Sequence, residues 1–319
     1  MMKKINGKDF KNFLIQNNTY LILLLLVIVS SLLTGDFLTS MNIRNIFLQQ
    51  AGPICMAIGM LFVILTGGID LAVGSYMAFG VSMMGVLLVN HNMSLGISIL
   101  VTLIIGFFLG AITGTLVAYA NMQGFIASLA MMTVARGISY VLTVGVPIRL
   151  PLDSIDLLVA KSTNYPIFYL TAGIIIFFMC IQHYTTYGRL VIACGSNRNA
   201  VELAGIRVRR YITSVYAVSA LLSVFAGMVA AARVSTASPN LGSGMELNAI
   251  AACAIGGASL AGGVGSVLKT VAGVLVLALI GNVMNLLSVP PYPQDIIKGI
   301  IIILAVLLQL ATSKTERTV

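Results

Sequence analysis

The chain has 319 residues, of which 59% are hydrophobic and 8% charged. A domain bathed in water carries about 25% charged residues, so these figures exclude a soluble globule and leave lipid as the solvent for most of the surface. The net charge of +9 raises nucleic acid as a partner. The basic residues stand beside apolar runs, however, where they anchor loops on the cytoplasmic side of a membrane, and no nucleic-acid role is expected.

Lipid offers no water to backbone groups, so the spanning structure is either helical or a closed barrel. Runs such as Leu21–Val29, Ile97–Leu109 and Ile296–Leu308 are continuous rather than alternating, which selects helices. Lys3, Lys4, Lys8 and Lys11 precede the first apolar stretch, Tyr20–Leu33. No small-residue cleavage site follows it, and it is expected to be a retained helix. The predicted spans in chain order are 20–34, 46–66, 73–90, 94–118, 124–146, 166–184, 212–234, 248–265, 267–287 and 296–311. Spans 73–90 and 248–265 are glycine-rich or broken, and either is also compatible with a half-helix. The expected fold class is all-α: one polytopic membrane domain over 1–319 with about 8–10 spanning or half-spanning helices.

Charge sets the expected sidedness. The basic start (1–19), the loop 185–211 and the tail 312–319 are assigned to the cytoplasm. That loop holds Arg189, Arg198, Arg207, Arg209 and Arg210 against one acid, Glu202. An even number of predicted spans separates each of these segments from the next, as common sidedness requires. Asp36, Asp153, Asp156 and Asp295 then fall outside. The outer segment 147–165, with Pro147 and Pro151, is barred from lipid and from long helix. Within the inner loop, Asn197 or Asn199 is placed to cap a short helix ending at Gly205. Two readings of it stand, a docking element or a basic connector.

Gly67-Gly68-Ile69-Asp70-Leu71-Ala72-Val73-Gly74-Ser75 is echoed by Gly256-Gly257-Ala258-Ser259-Leu260-Ala261 and Val264-Gly265-Ser266. Glycine-broken apolar segments in two halves point to discontinuous helices beside a pathway; close helix contact through small residues is the alternative. Candidate pathway residues are therefore Gly67, Gly68, Asp70, Ser75, Gly256 and Gly257, joined by Arg136 within span 124–146 and Glu246 and Asn248 at the start of the broken span. A carboxylate exposed to lipid is costly, so Asp70 is expected to hold a broken helix end by hydrogen bonds, with proton relay as the sharper alternative. Arg233 is placed to snorkel, Asp295 and Lys298 to pair, and His91 and His183 to lie at the interface. The cysteines Cys55, Cys180, Cys194 and Cys253 lack metal or disulfide spacing. No metal, nucleophile or phosphate-binding loop is found; Lys269-Thr270 lacks the leading glycine such a loop needs. Enzymatic activity and an intrinsic ATPase are not expected.

Five stretches, in order, resemble the ribose-type permease family of bacterial ABC importers. They are Ile64–Ser75; Gln123–Met132 with Arg136-Gly137; Gly195–Ile206; Ala232-Arg233 through Gly244–Ala252; and Ile255–Ser266. The likeness runs from about residue 20 to 310. It implies a monosaccharide importer subunit of the bacterial inner membrane, both termini cytoplasmic, working by alternating access. It implies as partners a cytoplasmic ATPase holding ATP and magnesium, an extracytoplasmic sugar-binding protein, and a second permease copy or paralogue. It also makes Gly195–Gly205 the ATPase-coupling element, through Gly195, Asn197, Arg198, Glu202, Leu203 and Gly205. On that reading Arg198 and Glu202 face the ATPase and Leu203 packs. Two departures stand out: Ala72 replaces the usual serine and Asn248 a frequent aspartate, both expected to remove polarity from the pathway. The scarcity of intramembrane charge suits a neutral, hydroxyl-bearing ligand. Import of a nucleoside or a furanone signalling molecule, and an ion-coupled secondary transporter, are the alternatives.

Overall fold

The computed structural model describes residues 17–151, 155 and 166–316. The lysine-rich start, most of the outer segment with Asp153 and Asp156, and the last three residues of the tail lie outside the described residues. The elements in chain order are α1 (Asn18–Leu33), α2 (Ser40–Leu65), α3 (Val73–Gly85, continued by a π-helical turn Val86–Asn90), α4 (Leu95–Ala118), α5 (Gly124–Thr143), β1 (Ile148–Arg149), α6 (Pro166–Tyr184), α7 (Thr186–Ser196), α8 (Arg198–Leu203), α9 (Val208–Val234), β2 (Thr236–Ala237), α10 (Met245–Ile255), α11 (Val267–Leu286) and α12 (Pro291–Glu316). Seven of the described helices are long and apolar enough to cross a membrane. The fold is that of an all-α polytopic membrane protein.

Burial separates an inner group of helices from an outer one. The apolar windows of α2, α3 and α9 are 78%, 83% and 78% buried, whereas those of α4, α5 and α6 are 22–28% buried. Exposed Leu, Ile and Phe side chains on α1, α4, α5, α6 and α12 are what a lipid-facing surface requires. Between helices in lipid the hydrophobic effect contributes little, so attraction comes from close packing. Gly106, Gly110 and Gly114 of α4 recur every fourth residue against α9; a methyl group at Gly114 would stand 2.7 Å from the Cα of Thr213. At the far side of α9, Gly59 of α2 sits under Ser219, leaving 2.8 Å to its Cα for any added methyl. A buried hydroxyl pair, Tyr76 with Thr113 at 2.5 Å, ties α3 to α4.

The connections gather at two ends. At one, β1 and β2 form a two-residue antiparallel clasp, with Ile148 opposite Ala237 and Arg149 opposite Thr236. At the other lie α7, α8 and the two glycine-rich breaks, 66–72 and 256–266.

Several predicted boundaries shift. Span 248–265 is not one helix: α10 covers eleven residues and the chain then runs without helix to α11. Span 73–90 is continuously helical, the break falling just before it. Helix α2 begins at Ser40 rather than 46, because the Thr39 hydroxyl accepts from the amide of Asn42 and caps it. The loop 185–211 holds α7 as well as the expected short helix. Helix α7 starts where the Thr185 hydroxyl accepts from the Gly188 amide at 3.1 Å.

Candidate functional site

Both breaks are built by the same local hydrogen bonding. At the end of α2, Gly67 N–H donates to Ile64 O (2.8 Å) and Gly68 N–H to Val63 O (3.2 Å). At the end of α10, Gly257 N–H donates to Ala254 O and Ala258 N–H to Cys253 O, both at 2.9 Å. Gly67 and Gly257 have φ of +79° and +78°, the left-handed conformation that this kind of cap needs and that glycine adopts without a Cβ penalty. Gly67 and Gly257 thus hold the same place in their caps, one residue on from the alignment of Gly67 with Gly256 that sequence suggests. The same pair of bonds closes α5, α8 and α11, so the cap alone does not mark a repeat. Gly256 instead lies against α11, where an added methyl would meet the Lys269 carbonyl oxygen at 2.6 Å.

The two breaks also touch each other. Gly263 N–H donates to Leu65 O at 3.0 Å, and a methyl on Gly67 would lie 3.3 Å from the Ala261 oxygen. The end of α7 fills the remaining side of this junction. A Cβ on Gly195 would run into the Leu65 carbonyl and stand 2.7 Å from Gly263 N, and one on Gly263 would stand 2.9 Å from the Ser196 Cα.

Asp70 sits in the first break with no exposed surface. One carboxylate oxygen accepts from Ala72 N–H at 3.0 Å and the other from the Ser219 hydroxyl at 2.9 Å. The carboxylate thus caps the start of α3, where the helix dipole favours negative charge, and ties it to α9. The preceding carbonyl, Ile69 O, accepts from Ser128 of α5 and Tyr216 of α9 at 3.2 and 3.3 Å. Ala72 is itself completely buried, so its departure from the family serine alters packing rather than a wet surface. Ser75 is buried on α3, and its hydroxyl has no hydrogen-bond partner among the described residues.

Arg136 is bound to the other end of the molecule. Its Nη1 donates to the carbonyls of Pro239 (2.7 Å) and Leu241 (2.9 Å), holding the chain that leads into α10. Glu246, one residue into that helix, approaches Gly74 and acts electrostatically on Arg136. Tyr140, one turn further along α5, donates to the side-chain oxygen of Asn240.

Helix α8 forms as its sequence suggests. The Asn197 side chain accepts from Ala200 N–H at 3.0 Å, and Gly205 closes the helix at φ +79°. Arg198 and Glu202 pair at 2.9 Å while each stays nearly half exposed. Leu203 does not pack within the chain. It projects outward, 89% exposed, and Val201 takes the buried position at 8%, because in a six-residue helix only one side faces the body of the protein.

A cavity of 270 Å³ lies between α2, α10, α11 and α12. Six amide side chains line it: Gln49, Gln50, Asn248, Asn282, Asn285 and Gln294. Arg233 and Lys298 complete its polar wall. Of the pathway candidates read from sequence, this cavity gathers Asn248 alone. Gly67, Gly68, Asp70, Gly256 and Gly257 belong to the breaks and their surroundings, and Arg136 and Glu246 to the entry of α10. The other five amides were missed, although a signal was present for four of them: a side-chain amide inside an apolar span needs a partner or water, and Gln49-Gln50, Asn282 and Asn285 all stand in such spans.

A family model described as branched-chain amino acid transport system / permease component matches residues 42–306. The chain belongs to this family of transport permeases. It is similar to the Ribose import permease protein RbsC of Haemophilus influenzae, with 38% identity over 96% of this chain and 97% of that protein. Identity to RbsC of Bacillus subtilis is also 38%, over 91% of each. The Galactose/methyl galactoside import permease protein MglC of Escherichia coli is 32% identical over 96% of this chain and 97% of its own length. No solved structure matches the chain. The family match covers α2 through most of α12, and so includes both breaks, the α7–α8 end and the amide-lined cavity of this permease.

Proposed function

We propose that this chain is the membrane-spanning subunit of a binding-protein-dependent ABC importer that carries a monosaccharide into the cell. The reading is carried by the near full-length likeness to ribose import permeases. On this reading the α7–α8 end faces the cytoplasm with both termini, and a separate ATPase holding ATP and magnesium docks there. An extracytoplasmic sugar-binding protein delivers ligand at the β1–β2 end, and a second permease copy or paralogue completes the channel. Helix α8 suits docking: it is short, capped at both ends, and presents Leu203 and the Arg198–Glu202 pair to the outside. Its neighbour α7 touches both helix breaks at Gly195 and Ser196. A shift of α8 driven by ATP is thereby passed to the segments entering α3 and α11, which is how one rigid movement alternates access.

The test is to co-express the chain with its cognate ATPase and binding protein. Cysteine placed at Leu203 should cross-link to the ATPase, and Glu202→Lys should weaken co-purification. Failure of Leu203→Cys to cross-link, with Glu202→Lys still fully coupled, would move the docking site elsewhere.

A further inference from the structure

Amides are unevenly committed around the 270 Å³ cavity. On the α11–α12 side they bond among themselves or with a neighbour. Asn282 and Asn42 exchange two hydrogen bonds, at 2.7 and 3.0 Å, and Gln294 donates to the Asn285 oxygen at 2.8 Å. On the α2–α10 side, Gln49 and Gln50 have no side-chain hydrogen bond among the described residues, and Asn248 has only a 3.6 Å approach to the Met245 sulfur. Satisfied amides fix the far wall, while three with spare donors and acceptors face it. A second cavity, of 200 Å³, shares Gln49, Pro53, Arg233 and Met245 with the first and continues to Met77 and Gly242. The free amides therefore stand along a linked pair of spaces.

An amide both donates and accepts, as a hydroxyl group does. A row of them matches an uncharged polyol and gives little to a carboxylate or an ammonium group. Of the cavity's two cations, Lys298 is paired with Asp295 at 3.3 Å. The Arg233 guanidinium donates to hydroxyl oxygens and also to carboxylates, so a sugar acid is the competing ligand and the three amides carry the preference for a neutral one. Among the described residues, no carboxylate lines the cavity.

We infer that Gln49, Gln50 and Asn248 form a hydrated binding station for a neutral polyhydroxylated ligand within this subunit, between the satisfied amides of α11–α12 and the wall of α2. The inference rests on the permease reading for its ligand and on the cavity for its location.

The experiment uses the full complex in proteoliposomes, in a Cys180→Ser background, since Cys180 is the one exposed native cysteine among the described residues. Gln49→Cys and Asn248→Cys should react with a water-soluble thiosulfonate, and the reaction should slow when D-ribose-loaded binding protein and ATP are added. Asn248→Leu should lower D-ribose uptake about tenfold or more, the loss expected for a removed polar partner, while Asn248→Gln retains most of it and both variants keep the ATPase bound. Inert thiols at both positions, or uptake by Asn248→Leu equal to that of the unsubstituted complex, would overturn the station. If the unsubstituted complex moves none of D-ribose, D-galactose or L-arabinose, the monosaccharide reading fails. The thiosulfonate reaction still decides the cavity in that case: labelled thiols support a hydrated route and inert ones overturn it.

Discussion

Replacing Gly195 by alanine places one methyl group where three elements meet. Its neighbours would be the Leu65 carbonyl, with its carbon 2.9 Å away, and Gly263 N at 2.7 Å. All are backbone atoms, so no side chain can rotate aside. Either α7 withdraws from the junction or the Gly263 N–H to Leu65 O bond opens. Forcing an extra carbon into a packed site costs about 1–3 kcal/mol. The opened bond adds little, because Gly195 and Gly263 are only partly buried and water replaces the lost partner. Where that cost falls on one transport state and is relieved in the other, it biases the two by about 5- to 150-fold, which is the upper bound on the loss of coupling. The assay is the ratio of sugar transported to ATP hydrolysed in proteoliposomes, with permease–ATPase stoichiometry measured on the same preparation. Gly195→Ala should lower the ratio by up to that factor and leave the stoichiometry unchanged, because Leu203 and the Arg198–Glu202 pair are untouched. An unchanged ratio, or loss of the ATPase itself, would refute the view that Gly195 transmits movement rather than binding the motor.

Other substitutions separate the roles of neighbouring groups. Asp70→Asn keeps an acceptor for Ala72 N–H and should preserve assembly and uptake; Asp70→Ala removes the cap and the Ser219 partner and should cost about 1–3 kcal/mol in thermal unfolding. Equal failure of both in uptake would favour the charge-relay alternative. Gly137→Ala, on a helical face with open space around it, should be neutral or stabilise by up to about 1 kcal/mol, read as the melting temperature in detergent. Arg136→Leu leaves the Pro239 and Leu241 carbonyls without their donor and should raise proteolysis or hydrogen exchange across residues 238–246, with α7–α8 unchanged. Burial pushes the Cys194 thiol above its usual range, so at neutral pH little thiolate forms there and N-ethylmaleimide should label Cys194 slowly in the folded protein and readily once it is unfolded in detergent.

The long helices were legible because a membrane span, whether it faces lipid or other helices, leaves one kind of signal, an unbroken apolar run. Span 166–184 matches α6 residue for residue, and 73–90 matches α3 with its π-helical turn. The α8 helix was legible for a different reason: Asn197 and Gly205 are cap residues at the right spacing. What escaped depends on contacts between distant parts of the chain. Helix α7 is short and only partly apolar, and its position is set by packing of Gly195 against Leu65 and Gly263. The outward turn of Leu203 follows from which face of α8 meets the protein, and no local pattern encodes that. The one-residue offset between Gly67 and Gly257 is visible only in φ and in hydrogen bonds. The amide-lined cavity needed four helices to bring its six side chains together, so sequence exposed the residues but not their convergence.

Sugar accumulation by the reconstituted complex, measured with and without hydrolysable ATP inside the vesicles, addresses most directly whether a separate motor drives this subunit. Accumulation should require the ATPase, ATP and the loaded binding protein together, and the purified chain alone should move no sugar under a proton or sodium gradient. Concentrative uptake by the lone chain under such a gradient would contradict the proposal and restore the ion-coupled alternative.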